Sequence, residues 1–551
     1  MRTKIITILT VGLIAFGLTT CASPNWPAYR YTGLRQGNQP AATPLSDPTK
    51  VPTLAVRWTF TPPNGEGGSF YASPIIVKDR LFIGSTSGYF YALDAGTGSL
   101  LWQFPAHGHP LMGTCAGGGF PQTFGQYGVM SSAADLDGNV VFGAPDPDPA
   151  TDLGRGSARL WELQESTGSL VWKSDVVAHV TGCTPGAINP PELHERIAYS
   201  APLALQTTIY VGVHDAGDDP IQNGKVMAVD PATGHLLPGF SYTSTGTRGG
   251  GVWNGPALDL SGGVLFTTGN TRCDAAGCQG TCDALGNPTG EPSPNRGLSM
   301  MKVDPTTGVP TWQFQAVPYC EDNDPDWAAG VTVMLTSCGE LAASVEKDGW
   351  TYALDGKSGS CTWQFPPTAG PSCKFPKGVN NLHGDTRYLG PGAAWNDVLI
   401  INTGGEALVH DGASAGFGRL HALNACATDE AHRVRWLVDV PHSTVGAGFG
   451  YSLGAPTVTG GIVYVTTDQG HVVALADPSV APPAGYRCSD IDFATMATCT
   501  AAGYAWVPIP KVLADVPLDG SSAAGTRNEA AIASGKLFVG TTGGHVYMLS
   551  P

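Results

Sequence analysis

The chain has 551 residues, of which 13% are charged, about half the usual ~25%. It holds 74 glycines, 44 prolines and 42% hydrophobic residues, which excludes a disordered chain and describes a turn-dense globular protein. The net charge of −16 excludes nucleic acid and an anionic membrane surface as electrostatic partners.

Residues 1–20 predict a signal peptide. Arg2 and Lys4 supply the basic start, and Ile5 to Leu18 an apolar stretch too short to span a bilayer. Leu18-Thr19-Thr20-Cys21 resembles a bacterial lipobox, with Thr20 bulkier than the usual Gly or Ala. The resemblance implies cleavage that leaves Cys21 as a lipidated N-terminus. Residues 21–53, rich in Pro, Thr and Asn, then read as that cysteine and a tether, and 54–551 as the folded body. There are 13 cysteines, so removing Cys21 leaves an even number, as disulfides in an exported protein require. Cys361/Cys373 and Cys488/Cys499 read as local staples and Cys320/Cys338 as a third candidate, with connectivity open.

Internal repeats dominate the rest. Phe90-Tyr-Ala-Leu-Asp-Ala-Gly-Thr-Gly-Ser-Leu-Leu-Trp102 returns as 160–172, 226–234, 300–312 and 351–363. Weaker copies lie at 420–436 and 472–475, and a truncated one at 546–550. Each copy follows an apolar run ending in Gly or a polar turn, such as Arg80-Leu-Phe-Ile-Gly84. The pattern predicts an all-β fold, an eight-bladed β-propeller of four-stranded antiparallel blades. The Asp-x-x-Thr-Gly turn joins the last two strands, and the tryptophan packs between blades. The eighth copy lacks its final strand. Leu54-Ala-Val-Arg-Trp-Thr-Phe60 has the missing pattern and would close the ring, leaving no free edge. Segments at about 106–127, 271–296, 366–387 and 478–510 read as insertions in blade loops.

One hairpin differs from the others. Gly251-Val-Trp253 opens it, a Ser-Gly-Gly turn divides it, and Thr267-Thr268-Gly269-Asn270 closes it. The repeats resemble those of the pyrroloquinoline quinone (PQQ) dehydrogenases over nearly the whole body, and this hairpin resembles the one that carries the family's cofactor floor. The resemblance implies that Trp253 supports the flat quinone and that Asn270 binds a hard cation such as Ca²⁺. Glu346-Lys347-Asp348-Gly349 resembles the segment that places a basic side chain over the quinone oxygens, a role for Lys347. The family's catalytic aspartate stands in a pattern ending Trp-Asp-x-Ala-Gly-Val. Here Asp326 precedes Trp327 instead of following it, so Asp326 is the first choice for base and Asp324 the second. After Ile209-Tyr-Val-Gly-Val213, where the family has a metal-binding glutamate, stand His214 and Asp215, with Asp215 as a shorter substitute. The family's vicinal Cys-Cys cap is absent, and Cys115 and Cys183 lie in loops where another cap could form. There is no Cys-x-x-Cys-His, so no attached c-type haem is expected.

These readings imply an exported quinoprotein dehydrogenase-like lipoprotein, nearest the polyvinyl-alcohol-dehydrogenase-like branch. It would oxidise an alcohol with PQQ and Ca²⁺ and pass electrons to an external acceptor, as a monomer held in the cell envelope by its lipid. Ala22 is not an inner-membrane retention Asp, which points to the outer membrane or the cell surface. The competing reading is a binding scaffold without activity, like the lipoprotein of the outer-membrane β-barrel assembly machine, whose repeats are similar. That reading expects an axis plugged by apolar side chains.

Overall fold

A computed structural model describes residues 25–40, 44–114, 127–182, 193–215, 222–244, 248–272, 296–315, 327, 329–346, 350–365, 373, 390–402, 418–429, 432–443, 453–489, 493–518 and 529–551. Eight four-stranded antiparallel sheets follow one another around an axis. Blade 1 is Ile75–Val77, Arg80–Gly84, Phe90–Asp94 and Leu100–Phe104. Blade 2 starts at Ala134–Leu136, blade 3 at Leu203–Ala204, blade 4 at Ala257–Leu258 and blade 5 at Thr332–Thr336. Blades 6, 7 and 8 start at Ala393–Trp395, Thr457–Thr459 and Ala531–Ala533. These first strands neighbour one another and line the axis. The ring closes as the sequence implies: Ala55–Phe60 pairs with Val546–Ser550 and completes blade 8.

The repeat has a mechanical reason. In the blade 1 turn, Asp94 Oδ1 accepts from the Gly96, Thr97 and Thr97 hydroxyl donors at 2.7–3.0 Å, and Gly98 takes φ +74°. A Cβ on Gly98 would lie 2.7 Å from the indole of Trp58, the tryptophan of the preceding blade. Gly168 meets Trp102, Gly234 meets Trp172 and Gly359 meets Trp312 in the same way. Each of these four tryptophans lies over the next blade's turn glycine. Trp102 Nε1 then donates to Glu165 O at 2.9 Å and Trp363 Nε1 to Ala425 O at 2.9 Å. Glycine is required twice there, for positive φ and for room.

Residues 25–40 and 44–53 correct the expectation of a tether. The chain runs up the axis beside blade 1, turns at 29–35 and returns beside blade 7, antiparallel to Ile76 and parallel to Val458. Every blade's first strand, or the residue just before it, bonds to this strap. Trp26 N donates to Ile76 O (2.7 Å), Asp135 N to Pro27 O (2.8 Å), Leu258 N to Gly33 O (2.8 Å) and Val333 N to Leu34 O (2.9 Å). Ala394 N donates to Gln36 O (2.8 Å) and Val458 N to Gly37 O (2.9 Å). Arg35 Nη2 donates to Pro202 O at 3.0 Å and Gln39 Nε2 to Ile532 O at 3.2 Å, which completes the circuit.

Arg30 and Arg35 form the core of this plug and are almost fully buried. Eight converging strands present carbonyls that need donors, and a guanidinium offers five. Arg30 donates to Pro456 O (2.7 Å), Gly392 O (2.6 Å) and Glu529 Oε2 (2.8 Å). Arg35 donates to Pro256 O (3.0 Å) and Tyr29 O (2.7 Å). Burial pushes the Arg35 guanidinium down to about 10, still charged at neutral pH. The axis is therefore filled by this strap, with charged groups at Arg30 and Arg35 and apolar side chains such as Trp26 and Leu34 packed on the blades. Composition misled because Pro, Thr and Asn suit a strap as well as a tether.

The cysteines also need a correction. Cys361–Cys373 and Cys488–Cys499 pair as expected, but Cys338 bonds Cys426 and not Cys320. Cys338 sits in the first hairpin turn of blade 5 and Cys426 after the third strand of blade 6, so the bond staples two blades. Repeat spacing hides a contact made between neighbouring turns. Within 478–510, strands Gly485–Cys488 and Trp506–Ile509 and the helix Met496–Ala501 form a small unit against the outer strand Val434–Asp439 of blade 6. Arg487 Nη1 reaches Asp439 Oδ2 at 3.0 Å.

Candidate functional site

The connections entering blades 3, 4 and 5, and the turns after their second strands, share one face of the ring. Trp253 lies in the connection to blade 4, and Asn270 follows that blade's second strand Val264–Thr267. A two-residue ladder, Arg248 opposite Arg272 and Gly249 opposite Thr271, zips the two segments together. Gly250 N donates to Asn270 O at 2.7 Å and Gly269 N to Gly251 O at 2.8 Å. The structure thus brings Trp253 and Asn270 into one local unit, held by backbone bonds that glycines permit.

The neighbouring turn of blade 3 supplies His214 and Asp215. Val252 N donates to Val213 O at 3.1 Å, which lays the Trp253 segment against that turn. His214 stacks on Trp253 with ring centroids 4.3 Å apart and 24° between planes. Tyr199, 43% exposed, stands 6.1 Å from His214 and 6.4 Å from Trp253. Together they make an aromatic floor, half open to solvent at Trp253 and Tyr199.

His214 is buried, and burial drives its pKa down to about 3. The ring is neutral at physiological pH. Its Nδ1 lies 2.6 Å from Asp215 O. A carbonyl only accepts, so Nδ1 carries the proton and Nε2 keeps a bare lone pair. That buried Nε2 has no hydrogen-bond partner among the described residues. Asp215 is buried as well; its Oδ2 accepts from Gln222 N at 3.2 Å, and the Arg196 charge faces it. Arg196 is itself pinned to His214 by backbone bonds of 2.7 and 2.9 Å, and its guanidinium lies 5.2 Å from the centre of the Tyr127 ring.

Lys347, Asp324, Asp326 and Cys21 lie outside the described residues, but the frames around the first three do not. Glu346 N donates to Trp350 O at 2.7 Å, and these two residues flank 347–349 in the sequence. The Glu346 carboxylate is fully buried. Trp327, also fully buried, follows Asp326, and Thr267 Oγ1 donates to Ala329 O at 2.8 Å. Ala329, at the entry to blade 5, therefore lies beside the end of the strand that precedes Asn270.

These features fit a flat cofactor with a cation beside it. An aromatic floor suits a planar ring system. The orphaned imidazole lone pair, an amide and a carboxylate are the donor types a cation takes. Sequence reasoning missed Tyr199, Arg196 and His214 as a working group. His214 had been noted only as a departure from a glutamate, although His-Asp after a buried strand was a readable signal.

The comparisons with known proteins agree with the propeller fold. The PQQ_2 family model, described as outer membrane protein assembly factor BamB, matches residues 51–273. The quinoprotein alcohol dehydrogenase PedH of Pseudomonas putida is 25% identical over 358 residues, 60% of this chain and 53% of that protein. A polyvinylalcohol dehydrogenase of a Sphingopyxis species is 22% identical over 419 residues, 66% of this chain and 55% of its own length. The fold matches that of the quinohemoprotein alcohol dehydrogenase of Comamonas testosteroni, with TM-score 0.64, 15% identity, and 96% and 80% of the two chains covered. The chain is an eight-bladed β-propeller whose sequence is similar to those of quinoprotein alcohol dehydrogenases. It spans about half the length of the curated relatives it matches. The hairpin with Trp253 and Asn270 falls inside the matched region.

Proposed function

We propose that this propeller oxidises an alcohol, with PQQ over Trp253 and a divalent cation beside Asn270. The observation that carries the reading is the zipped pair of Trp253 and Asn270 segments, with the neutral His214 stacked on the indole. PQQ bound there would supply a two-electron acceptor, and the cation would polarise it. The chain's residues supply the rest. Trp253 and Tyr199 offer the apolar face. Asn270 Oδ1 and the Asp215 carboxylate are the oxygen donors, and His214 Nε2 is a further acceptor on the same floor. Lys347 would balance negative charge on the bound ring. Asp326, or Asp324 after it, would take the substrate hydroxyl proton.

We also propose export, lipidation at Cys21 and residence in the cell envelope, with electrons leaving to a separate acceptor. Asn25 supports a definite orientation, because its side chain accepts from Lys78 N at 2.9 Å on the face opposite Trp253. A lipid at Cys21 would therefore hold that opposite face to the membrane and leave the site facing away. Radiolabelled palmitate should enter the wild-type chain and not Cys21→Ala; equal labelling of both would refute the anchor.

The function is tested by dye-linked oxidation of an alcohol panel after incubation with PQQ and Ca²⁺. Turnover that needs both additions and falls by at least about 100-fold in Asp326→Asn supports the reading, a loss of the size general-base removal gives. No turnover with any primary, secondary or polymeric alcohol would sink it.

A further inference from the structure

Three side chains from three separate segments meet at the seam of blades 6 and 7, away from the floor of Trp253. His442 lies in the connection leaving blade 6, after Val434–Asp439. His471 opens the third strand of blade 7, His471–Ala476, and Asp515 lies in its fourth, Lys511–Pro517. Asp515 Oδ1 is 2.7 Å from His471 Nδ1 and Oδ2 is 3.1 Å from His442 Nε2. The two imidazoles stack with centroids 3.9 Å apart and planes 7° apart. One ligand atom from each of the three lies within 4.8 Å of the others.

The local backbone fixes these positions. His442 takes φ +54°, a conformation uncommon for a residue with a side chain. Its turn is tied down on both sides: Ser443 Oγ donates to Val440 O at 2.6 Å, and Gly418 N donates to Ser443 Oγ at 2.7 Å. His471 N is held by Thr467 Oγ1 at 3.1 Å. Two ordered turns and a strand thus deliver two nitrogens and one oxygen to one point.

We propose that His442, His471 and Asp515 form a binding site for a divalent transition metal of the Zn²⁺ class, clasping blade 6 to blade 7. Two imidazoles and one carboxylate are a donor set for Zn²⁺, Ni²⁺ or Co²⁺ and not for Ca²⁺ or Mg²⁺, which prefer oxygen ligands. The metal replaces the protons through which both rings now meet Asp515. A metal lies in the plane of each imidazole that binds it, so the parallel stack must open. His442 is the ring that turns, since its side chain is 46% exposed against 19% for His471. With three protein ligands, a fourth position stays open to water. This site is separate from the cation site proposed near Asn270.

The test is calorimetric titration of the chelator-stripped whole chain with Zn²⁺, in excess Ca²⁺ to occupy oxygen-donor sites. Co²⁺ is then substituted and followed by visible absorbance. The expected result is one equivalent bound, tetrahedral Co²⁺ bands, and a Tm that rises with metal concentration as linkage requires. Affinity should fall at least 10-fold in His442→Ala and in Asp515→Asn. His442→Ala removes a half-exposed ring and keeps the variant set informative if His471→Ala fails to fold. No Zn²⁺ binding by the folded wild-type chain would overturn the proposal. So would affinity unchanged in both His442→Ala and Asp515→Asn, which would leave the trio as a hydrogen-bonded cluster.

Discussion

His214 lies flat on Trp253, 4.3 Å between ring centroids, with its one protonated nitrogen committed to the Asp215 carbonyl. The pairing gives the imidazole two separable roles, as a packing surface and as a lone pair. His214→Phe keeps the first and removes the second. His214→Ala removes both. We expect Ala to shift Trp253 fluorescence and to lower quinone affinity by at least 10-fold. Phe should leave the fluorescence near wild type and only raise the cation concentration needed for quinone binding. Equal behaviour of the two variants would show that the packing surface has no role, and a Phe variant indistinguishable from wild type would show that the lone pair has none.

Arg30 and Glu529 form an ion pair of 2.8 Å with both side chains fully buried. Glu529 also accepts from Arg30 N at 2.8 Å, so one carboxylate fixes the tip of the strap twice. Removing one partner leaves a charge buried without compensation, at about 3–5 kcal/mol. Glu529→Ala should therefore lower stability in urea by that order, far more than Glu→Ala at an exposed position. Gly37 belongs to the same device, because a Cβ there would lie 2.2 Å from Arg30 Nη2. Gly37→Ala should be destabilising too.

Asp135, in the first strand of blade 2, has its pKa raised to about 7. Burial is the main cause, followed by the hydrogen bond and charge of Glu165, with Lys78 opposing. The unfolded carboxyl loses its proton near 3.9 and the folded one only near 7. Between these values the unfolded state binds fewer protons, so this group's contribution to stability falls as pH rises. Asp135→Asn should raise Tm by a few degrees at pH 8 and leave it unchanged at pH 4. The effect is reduced by solvent, since Asp135 is only half-buried. Thermal melts across pH 4–8 read the difference directly.

The Cys338–Cys426 bond closes a loop with a sequence separation of 88. In the chain-entropy account a loop of this length stabilises by about 4–5 kcal/mol. The seam keeps other ties, since Ser337 donates to Asp397 from N at 2.7 Å and from Oγ at 2.6 Å. Cys338→Ser/Cys426→Ser should fold with a lower urea midpoint and lose all sensitivity of that midpoint to reductant at this seam. Cys488→Ser/Cys499→Ser, in the peripheral unit, should cost less because its loop is short, with a separation of 11.

Much of the ring was legible because its signals are local. The Asp-x-x-Thr-Gly turn and the tryptophan are close in sequence and recur with each blade. Trp58 and Val546 show why even closure was readable: a strand pattern was missing at one end and spare at the other. The strap was not legible, since Arg30 bonds residues 392, 456 and 529, contacts with no sequence period. Cys338 failed for the same reason. In the site, Trp253 and Asn270 were found because one hairpin holds both. His214 was undervalued because its role depends on burial and on the direction of one hydrogen bond, neither of which a sequence displays. Asn25 to Thr53 looked like a tether because polar and proline-rich residues serve equally to cross an axis.

The most direct test of the central claim is PQQ retention by the purified chain. Residues 22–551, with disulfides formed, are incubated with PQQ and Ca²⁺ and passed through gel filtration, and quinone absorbance is read in the protein peak. The account predicts about one PQQ per chain, lost in Trp253→Ala and in Asn270→Ala while both variants keep the wild-type far-UV spectrum. A folded wild-type chain that emerges without quinone, at any cation tried, would contradict it.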